Sequence, residues 1–479
     1  MENHKTEIPF YWALVPLLVM ISMMAITIIK FEGSPHIPLI VGTIAAGLIA
    51  WRFGYKWKDM EEGIYNGIRL ALPAVLIIIL VGLIIASWIG GGIIATLIYY
   101  GLKIITPSLF LFSICLICAI VSLAIGSSWS TMGTIGVAGM GIGISMGIPA
   151  PIVAGAIISG AYFGDKMSPL SDTTNMAAGI TGTDLFDHIK HMVYTTIPGL
   201  VIASAVYLFI GFHFGTAKIN LESINKIISV LENNFVISPW LLLVPAIVIL
   251  LVAKKIPALP ALTVGVFLGW LCHIFIQGGS PGDAVNALHD GYSIETGNAL
   301  VDELFNRGGV QDMMYTVSLT IVAMTFGGMM EITGMLKAIV NQILKLAKSA
   351  KSLIPTTILS AFFTNIAAAE QYISILIPGR MYAYAYKEKN LHSKNLSRAL
   401  EDGGTLTSAL VPWNTCGVFI TSTLGVSAFQ YAPYAVLNYI VPITGIILAV
   451  LGIKVTCLKD PQEEPAIPVL SEDLEDMKS

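Results

Sequence analysis

The sequence predicts an all-α polytopic membrane protein of about ten to twelve transmembrane segments, in two inverted repeats with broken helices and paired re-entrant hairpins. Three observations carry that prediction. The 479 residues are 55% hydrophobic and 12% charged, whereas a soluble globule has roughly a quarter of its residues charged. Apolar runs close to the ~20 residues that cross a ~30 Å hydrocarbon core recur along the chain. Polar interruptions fall at matched places in the two halves.

The first apolar run, 10–29, is too long for a signal-peptide core and has no Ala-x-Ala-type site after it, so it reads as a retained spanning helix. The formal charge of −4 comes mostly from loops and an acidic, disordered tail at 460–479. It gives no basis for a nucleic-acid partner; the surroundings implied are lipid. Cys115-x-x-Cys118 lies in mid-helix without the second ligand pair of a zinc or redox site, so the cysteines read as small hydrophobes and no cofactor is expected.

Four regions follow in order: an N-terminal half at 1–215, a polar connection at 216–237, a C-terminal half at 238–459, and the tail. Helices at 10–29 and 37–51 precede a loop, 51–58, whose Arg52, Lys56, Lys58 and two tryptophans place it at the cytoplasmic face. Helix 70–89 and a shorter piece, 93–105, come next. Helix 108–125 meets a polar tip at 126–131 and a glycine-rich arm, the pattern of a hairpin or broken helix. Segment 150–163 runs into Gly164-Asp165-Lys166-Met167-Ser168-Pro169-Leu170-Ser171-Asp172-Thr173-Thr174-Asn175. A polar loop containing His188 and His191, read as solvated, precedes helix 193–214.

The second half has helices at 238–252 and 257–276, a soluble loop at 278–310 whose only Lys or Arg is Arg307, and an apolar segment at 313–331. An interfacial helix at 335–348 leads to helix 353–363, a polar tip at 364–371 and a second arm. The basic stretch 380–398 leads to Glu401-Asp402-Gly403-Gly404-Thr405-Leu406-Thr407-Ser408 and Pro412-Trp413-Asn414-Thr415, and a last helix spans 433–453.

The halves match where they are polar. Ser128 precedes Asp165 by 37 residues, and Asn365 precedes Asp402 by the same 37. Matched loops carry opposite charge bias: 52–69 holds four Lys or Arg against one in 294–311, and 380–398 holds five against none in 143–161. Since Lys and Arg mark the cytoplasmic side, the halves enter the membrane in opposite senses.

Ionisable residues at membrane depth cost at least ~2.5–3.5 kcal/mol and mark ion or proton sites. Pro169 removes a donor, which should leave carbonyls free in its turn. With them, Ser127, Ser128, Thr131, Asp165, Ser168, Ser171, Asp172, Thr173 and Thr174 offer hard oxygen donors suited to Na⁺. Asn365, Glu370, Asp402, Thr405, Asn414 and Thr415 are the matching set. Burial favours a carboxyl's neutral form and a bound cation its ionised form, so H⁺ and Na⁺ compete at one group. Asp172, taken as deepest in the hydroxyl cluster, is the first candidate; Asp165 has the structural alternative of pairing with Lys166 or Arg398.

The motif 164–174, with Gln371 to Arg380 and Glu401-Asp402-Gly403-Gly404-Thr405, resembles the NhaC family of bacterial Na⁺/H⁺ antiporters over about residues 10–455. The resemblance implies Na⁺ export against H⁺ entry at the bacterial plasma membrane, with Asp165, Ser168, Asp172, Thr173 and Thr174 carried over. Glu370 departs from the aspartate expected before Gln371. Exchangers resembling MleN, which swap malate and protons for lactate and Na⁺, share the scaffold; an organic anion would call on Lys166, Arg380 or free helix N-termini. No HExxH motif points to an intramembrane enzyme here. The sequence leaves stoichiometry, Li⁺ or K⁺ acceptance and a homodimeric state open.

Overall fold

The computed structural model describes residues 6–31, 33–104, 106–216, 221–254 and 256–458, so the acidic tail at 460–479 lies outside the described residues. Phe10–Ala25 (α1), His36–Arg52 (α2), Trp57–Gly90 (α3) and Ile93–Ile104 (α4) lead to the first hairpin. Its arms are Pro107–Ile125 (α5) and a return arm of Ser128–Thr131 (α6), a π-helical turn at Met132–Gly136 and Val137–Ser145 (α7). Ala150–Met167 (α8) and Asp172–Thr181 (α9) form the first broken helix, followed by Leu185–Thr216 (α10) and Leu221–Asn234 (α11).

In the second half, Leu243–Ala253 (α12) and Ala258–Phe275 (α13) precede the short Pro281–Asp290 (α14) and Ala299–Phe305 (α15). Gly309–Ile332 (α16) and Met335–Leu344 (α17) lead to the second hairpin, Ala350–Ala368 (α18) and Gln371–Glu388 (α19). The second broken helix is Ser393–Leu400 (α20), a π-helical turn at Glu401–Thr405 and Leu406–Ser408 (α21), then Thr415–Leu424 (α22). Ala428–Tyr431 (α23) and Val436–Leu451 (α24) close the chain. Large apolar side chains such as Tyr11, Leu48, Ile120 and Phe209 are exposed on the outside, as expected of a surface facing lipid.

Among the described residues, five helices, 10–28, 57–90, 107–125, 185–214 and 309–332, are long and apolar enough to cross a bilayer unbroken, with two bent pairs of helices as further candidates. Other apolar runs are shorter or interrupted at the polar breaks, in keeping with the broken helices expected. Helix α3 starts at Trp57 rather than near residue 70. The carboxylate of Asp59 accepts the Lys56 N–H at 3.0 Å and starts the helix inside the basic loop. Asp184 likewise accepts from Phe186 and Asp187, both at 3.0 Å. This starts α10 early and carries His188 and His191 into the interior, correcting their reading as solvated. The 278–310 segment is partly helical, with Val301 and Phe305 buried.

The two halves correspond in their turns. Gly126 (φ +77°) and Ala369 (φ +57°) end the outgoing hairpin arms in the left-handed conformation. Ser127 and Glu370 cap the returning arms, Ser171 and Asn414 cap the second halves of the broken helices, and Gly182 (φ +66°) and Gly425 (φ +72°) end those half-helices. Each pair is 243 residues apart. The spacing of 37 that aligned Asp165 with Asp402 is therefore six residues out of step with the backbone. In the structural register Asp165 corresponds to Ser408, and Asp402 to Ser159.

Small residues allow the helices to touch, as is usual between membrane helices. A Cβ added at Gly160 of α8 would lie 2.1 Å from the Cys115 carbonyl oxygen of α5, and one at Gly67 of α3 would lie 2.2 Å from the Met324 carbonyl of α16. Since both obstacles are backbone, Gly160→Val should cost more than the ~1–3 kcal/mol usual for overpacking. The expected result is a lower melting temperature, or loss of the monodisperse peak on size exclusion in detergent.

Candidate functional site

Four helix N-termini meet at one cavity of about 440 Å³: those of the first hairpin's return arm, α9, α19 and α22. Ser127, Ser128, Asp165, Ser171, Asp172, Thr173, Glu370 and Thr415 line it, while Leu70, Pro73, Ala74 and Ile77 of α3 form an apolar wall. No Lys, Arg or His side chain is among the described lining residues. Helix N-termini carry partial positive charge, so each carboxylate beside one gains about 0.3–1 kcal/mol.

Asp165 stands in the last turn of α8, where the helix stops short of Pro169. One carboxylate oxygen, Oδ2, accepts the Ser128 N–H at 3.0 Å and the Ser128 hydroxyl at 2.6 Å; Oδ1 accepts the Ser171 hydroxyl at 2.6 Å. Ser171 Oγ lies 3.1 Å from Thr173 Oγ1. Asp165 thus joins the hairpin tip to the helix break, and only 7% of its surface is exposed. From the second half, Glu370 Oε1 accepts the Tyr372 N–H at 3.3 Å and Oε2 accepts the Thr415 hydroxyl at 2.6 Å. Between the halves the Trp129 ring stacks on Phe419, with centroids 4.1 Å apart.

Several expected residues lie elsewhere. Asp172 borders the cavity but is exposed, so Asp165 and not Asp172 is the deeper acid. As the first residue after the Ser171 cap it starts α9 with its side chain outward, whereas Asp165 is still inside α8. Asp402 does not reach the cavity; it forms a fully buried ion pair with Lys166 and accepts the Thr195 hydroxyl at 3.0 Å. Lys166, committed there, does not face an organic anion in the cavity, nor does Arg380, which is exposed on α19. Asp165 pairs with neither Lys166 nor Arg398, whose guanidinium donates to the Lys454 carbonyl at 3.3 Å.

Other members of the set build the scaffold. The Thr131 hydroxyl donates to the Ser127 carbonyl at 2.9 Å, Ser168 Oγ accepts the Leu170 N–H at 3.2 Å, and the Thr174 hydroxyl donates to the Lys166 carbonyl at 3.0 Å. Asn414 donates from Nδ2 to Asn365 Oδ1 at 3.0 Å, and Asn365 in turn donates to the Gly404 carbonyl at 2.7 Å, tying the second tip to the second break. Thr405 is buried in the π-helical turn, away from the cavity. The carbonyls expected to be free beside Pro169 are not: Asn175 donates to those of Pro169 and Ser171 at 2.9 and 2.8 Å. The donors left facing the cavity are side-chain oxygens.

Residues 160–453 match the Na⁺/H⁺ antiporter family. Over 452 residues the chain is 40% identical to the Na⁺/H⁺ antiporter NhaC of Alkalihalophilus pseudofirmus, covering 94% of this chain and 97% of that protein. The chain belongs to the Na⁺/H⁺ antiporter family. This antiporter is also 40% identical over 405 residues to the malate-2H⁺/Na⁺-lactate antiporter of Bacillus subtilis, with 85% and 86% covered. It is 37% identical over 459 residues to the arginine/ornithine antiporter ArcD of Halobacterium salinarum, with 95% and 94% covered. Family membership accords with a multi-pass protein whose polar breaks meet inside the fold.

One acid of this antiporter goes unsignalled by the repeat argument. Glu401 is fully buried in the π-helical turn, within electrostatic reach of Lys166, Asp165 and Asp402. Its only sequence mark is the acid pair Glu401-Asp402 beside an apolar stretch. π-Helical turns inside α-helices frequently accompany functional sites.

Proposed function

We propose that this protein exchanges Na⁺ for H⁺ across the bacterial plasma membrane, with Asp165 as the group both ions share. One observation carries this: a buried carboxylate held by two hydroxyls, where two interrupted helices meet, opening on a cavity with two more carboxylates and no basic side chain. Serine hydroxyls both donate and accept. Those of Ser128 and Ser171 donate to Asp165 when no cation is bound, and can turn their lone pairs to Na⁺ when it arrives. Hard oxygen ligands of this kind suit Na⁺. A proton on Asp165 removes the charge that holds Na⁺, so each ion leaves before the other binds. Thr173, Glu370 and Thr415 complete the polar wall.

The matched turns 243 residues apart, with opposite charge bias in the loops, support two inverted repeats in which these breaks meet near the midplane. The malate/lactate reading rests on the Bacillus subtilis relative's name. A dicarboxylate in the cavity would face three carboxylates and no Lys or Arg, which favours the inorganic cation.

The test is a proteoliposome assay scanning Na⁺, Li⁺, K⁺, malate and lactate with a lumenal pH dye. A Na⁺ gradient alone should move lumenal pH. Na⁺ movement that appears only with malate or lactate present would replace this reading with carboxylate exchange.

A further inference from the structure

A second cavity, of about 650 Å³, lies against the same broken helix as the first. Pro412 of the second break and Val418, Thr421 and Ser422 of α22 line it, while Thr415 and Cys416 at the start of α22 line the first. A ten-residue helix is about 15 Å long, so the two cavities are separated by little more than residues 412–418. The mouth of the second is charged, with Glu303, Arg307 and Asp312. It lies beside the segment 278–308, on the face opposite to the basic loops if the charge bias sets orientation.

Arg307 holds this mouth. Its Nη2 donates to the carbonyls of Thr423 at 2.9 Å and Ser422 at 3.4 Å, in the last turn of α22 before Gly425 ends the helix. The C-terminal end of a half-helix carries partial negative charge, and such ends commonly face cations in transporters. Here the guanidinium occupies that place. Asp312, next to it in the cavity, accepts the Gly308 N–H at 3.0 Å and fixes the turn that positions Arg307.

We infer that the second cavity is the vestibule by which a hydrated monovalent cation approaches the Asp165 site from the face bearing residues 278–308, with Arg307, by capping α22, withholding the helix-end carbonyls from that cation. The inference rests on the cation-exchange reading. When Arg307 withdraws, the carbonyls of residues 422–423 and the carboxylates of Glu303 and Asp312 become an attractive mouth for a cation. While it is in place, those carbonyls are taken and the path from this side stops at residues 412–418.

The test uses full-length protein with Ser422→Cys in a Cys457→Ser background, since Cys457 is exposed; the Cys457→Ser parent is labelled beside it so that any reaction at Cys416, which lines the first cavity, is subtracted. A membrane-impermeant cationic thiol reagent is added to right-side-out or to everted vesicles, and modification is read by intact mass beside Na⁺-driven proton movement. Modification from outside only, cutting exchange at least about tenfold by filling the path, is the expected result. Thr421→Cys probes the same cavity should the first variant fold poorly. Modification from the cytoplasmic side, absence of modification from either side, or modification that leaves exchange intact overturns the inference. If the unmodified protein moves no Na⁺, the exchange reading fails, while the sidedness of labelling still reports whether this cavity opens outward.

Discussion

Asp165→Asn is expected to abolish Na⁺-dependent proton movement while leaving expression and the size-exclusion profile intact. The amide keeps the shape of the carboxyl: its oxygen can keep the Ser128 N–H and hydroxyl, and its NH2 can donate to Ser171 Oγ once that hydroxyl turns, so the junction between hairpin tip and helix break is largely preserved. Two properties go. Hydrogen bonds and contacts to a charged group are worth about 1.5–3 kcal/mol each, so the loss of one full charge facing the cation lowers its affinity about ten- to a hundredfold. The amide also has no proton to exchange, which removes turnover and not only affinity. Asp172→Asn, at the exposed rim, should be milder, and a raised apparent KM for Na⁺ is its expected signature. Both are measured by the lumenal pH dye in proteoliposomes over a range of Na⁺. An active Asp165→Asn beside an inactive Asp172→Asn would return the role to Asp172.

That reversal of rank shows which part of the site a linear reading reaches. The position of the motif was legible because polar residues in an apolar stretch have no cheap explanation. The depth of each acid was not, since it depends on where α8 stops and α9 starts. Asp165 and Asp172 are seven residues apart, but Pro169 and the Ser171 cap between them reverse which side faces inward. The repeat was visible as recurring polar clusters, yet the spacing of 37 that paired Asp165 with Asp402 was a coincidence of composition. The true register is carried by left-handed residues and caps, and one of these, Ala369, is not the glycine that would advertise such a turn. Likewise nothing local marks His188 and His191 as buried: the segment is polar, and only the Asp184 cap turns it into the first turns of α10. Glycine density did signal close helix crossings, which is where Gly67 and Gly160 stand.

Lys166→Met should destabilise the protein strongly, and adding Asp402→Asn should restore most of the loss. Lys166 and Asp402 come from opposite halves, 236 residues apart, and their side chains are 0% and 1% exposed. Removing one partner of a buried pair leaves the other charge without compensation, at about 3–5 kcal/mol, whereas replacing both with uncharged groups is often neutral. Arg398 lies close enough to act on Asp402, and Glu401 close enough to feel Lys166, so two cations and two acids share this interior. Arg398 therefore offsets part of the charge left on Asp402 and sets the expected loss toward the lower end of that range. The Asn in the double variant still accepts the Thr195 hydroxyl through its oxygen, so that buried donor keeps its partner. Melting of the detergent-solubilised single and double variants, compared with Asp402→Asn alone, measures the coupling. Equal melting temperatures for Lys166→Met and the double variant would mean that Lys166 and Asp402 are compensated separately, and that the tie between the two halves lies in the Asn365–Asn414 contacts and the Trp129–Phe419 stack instead.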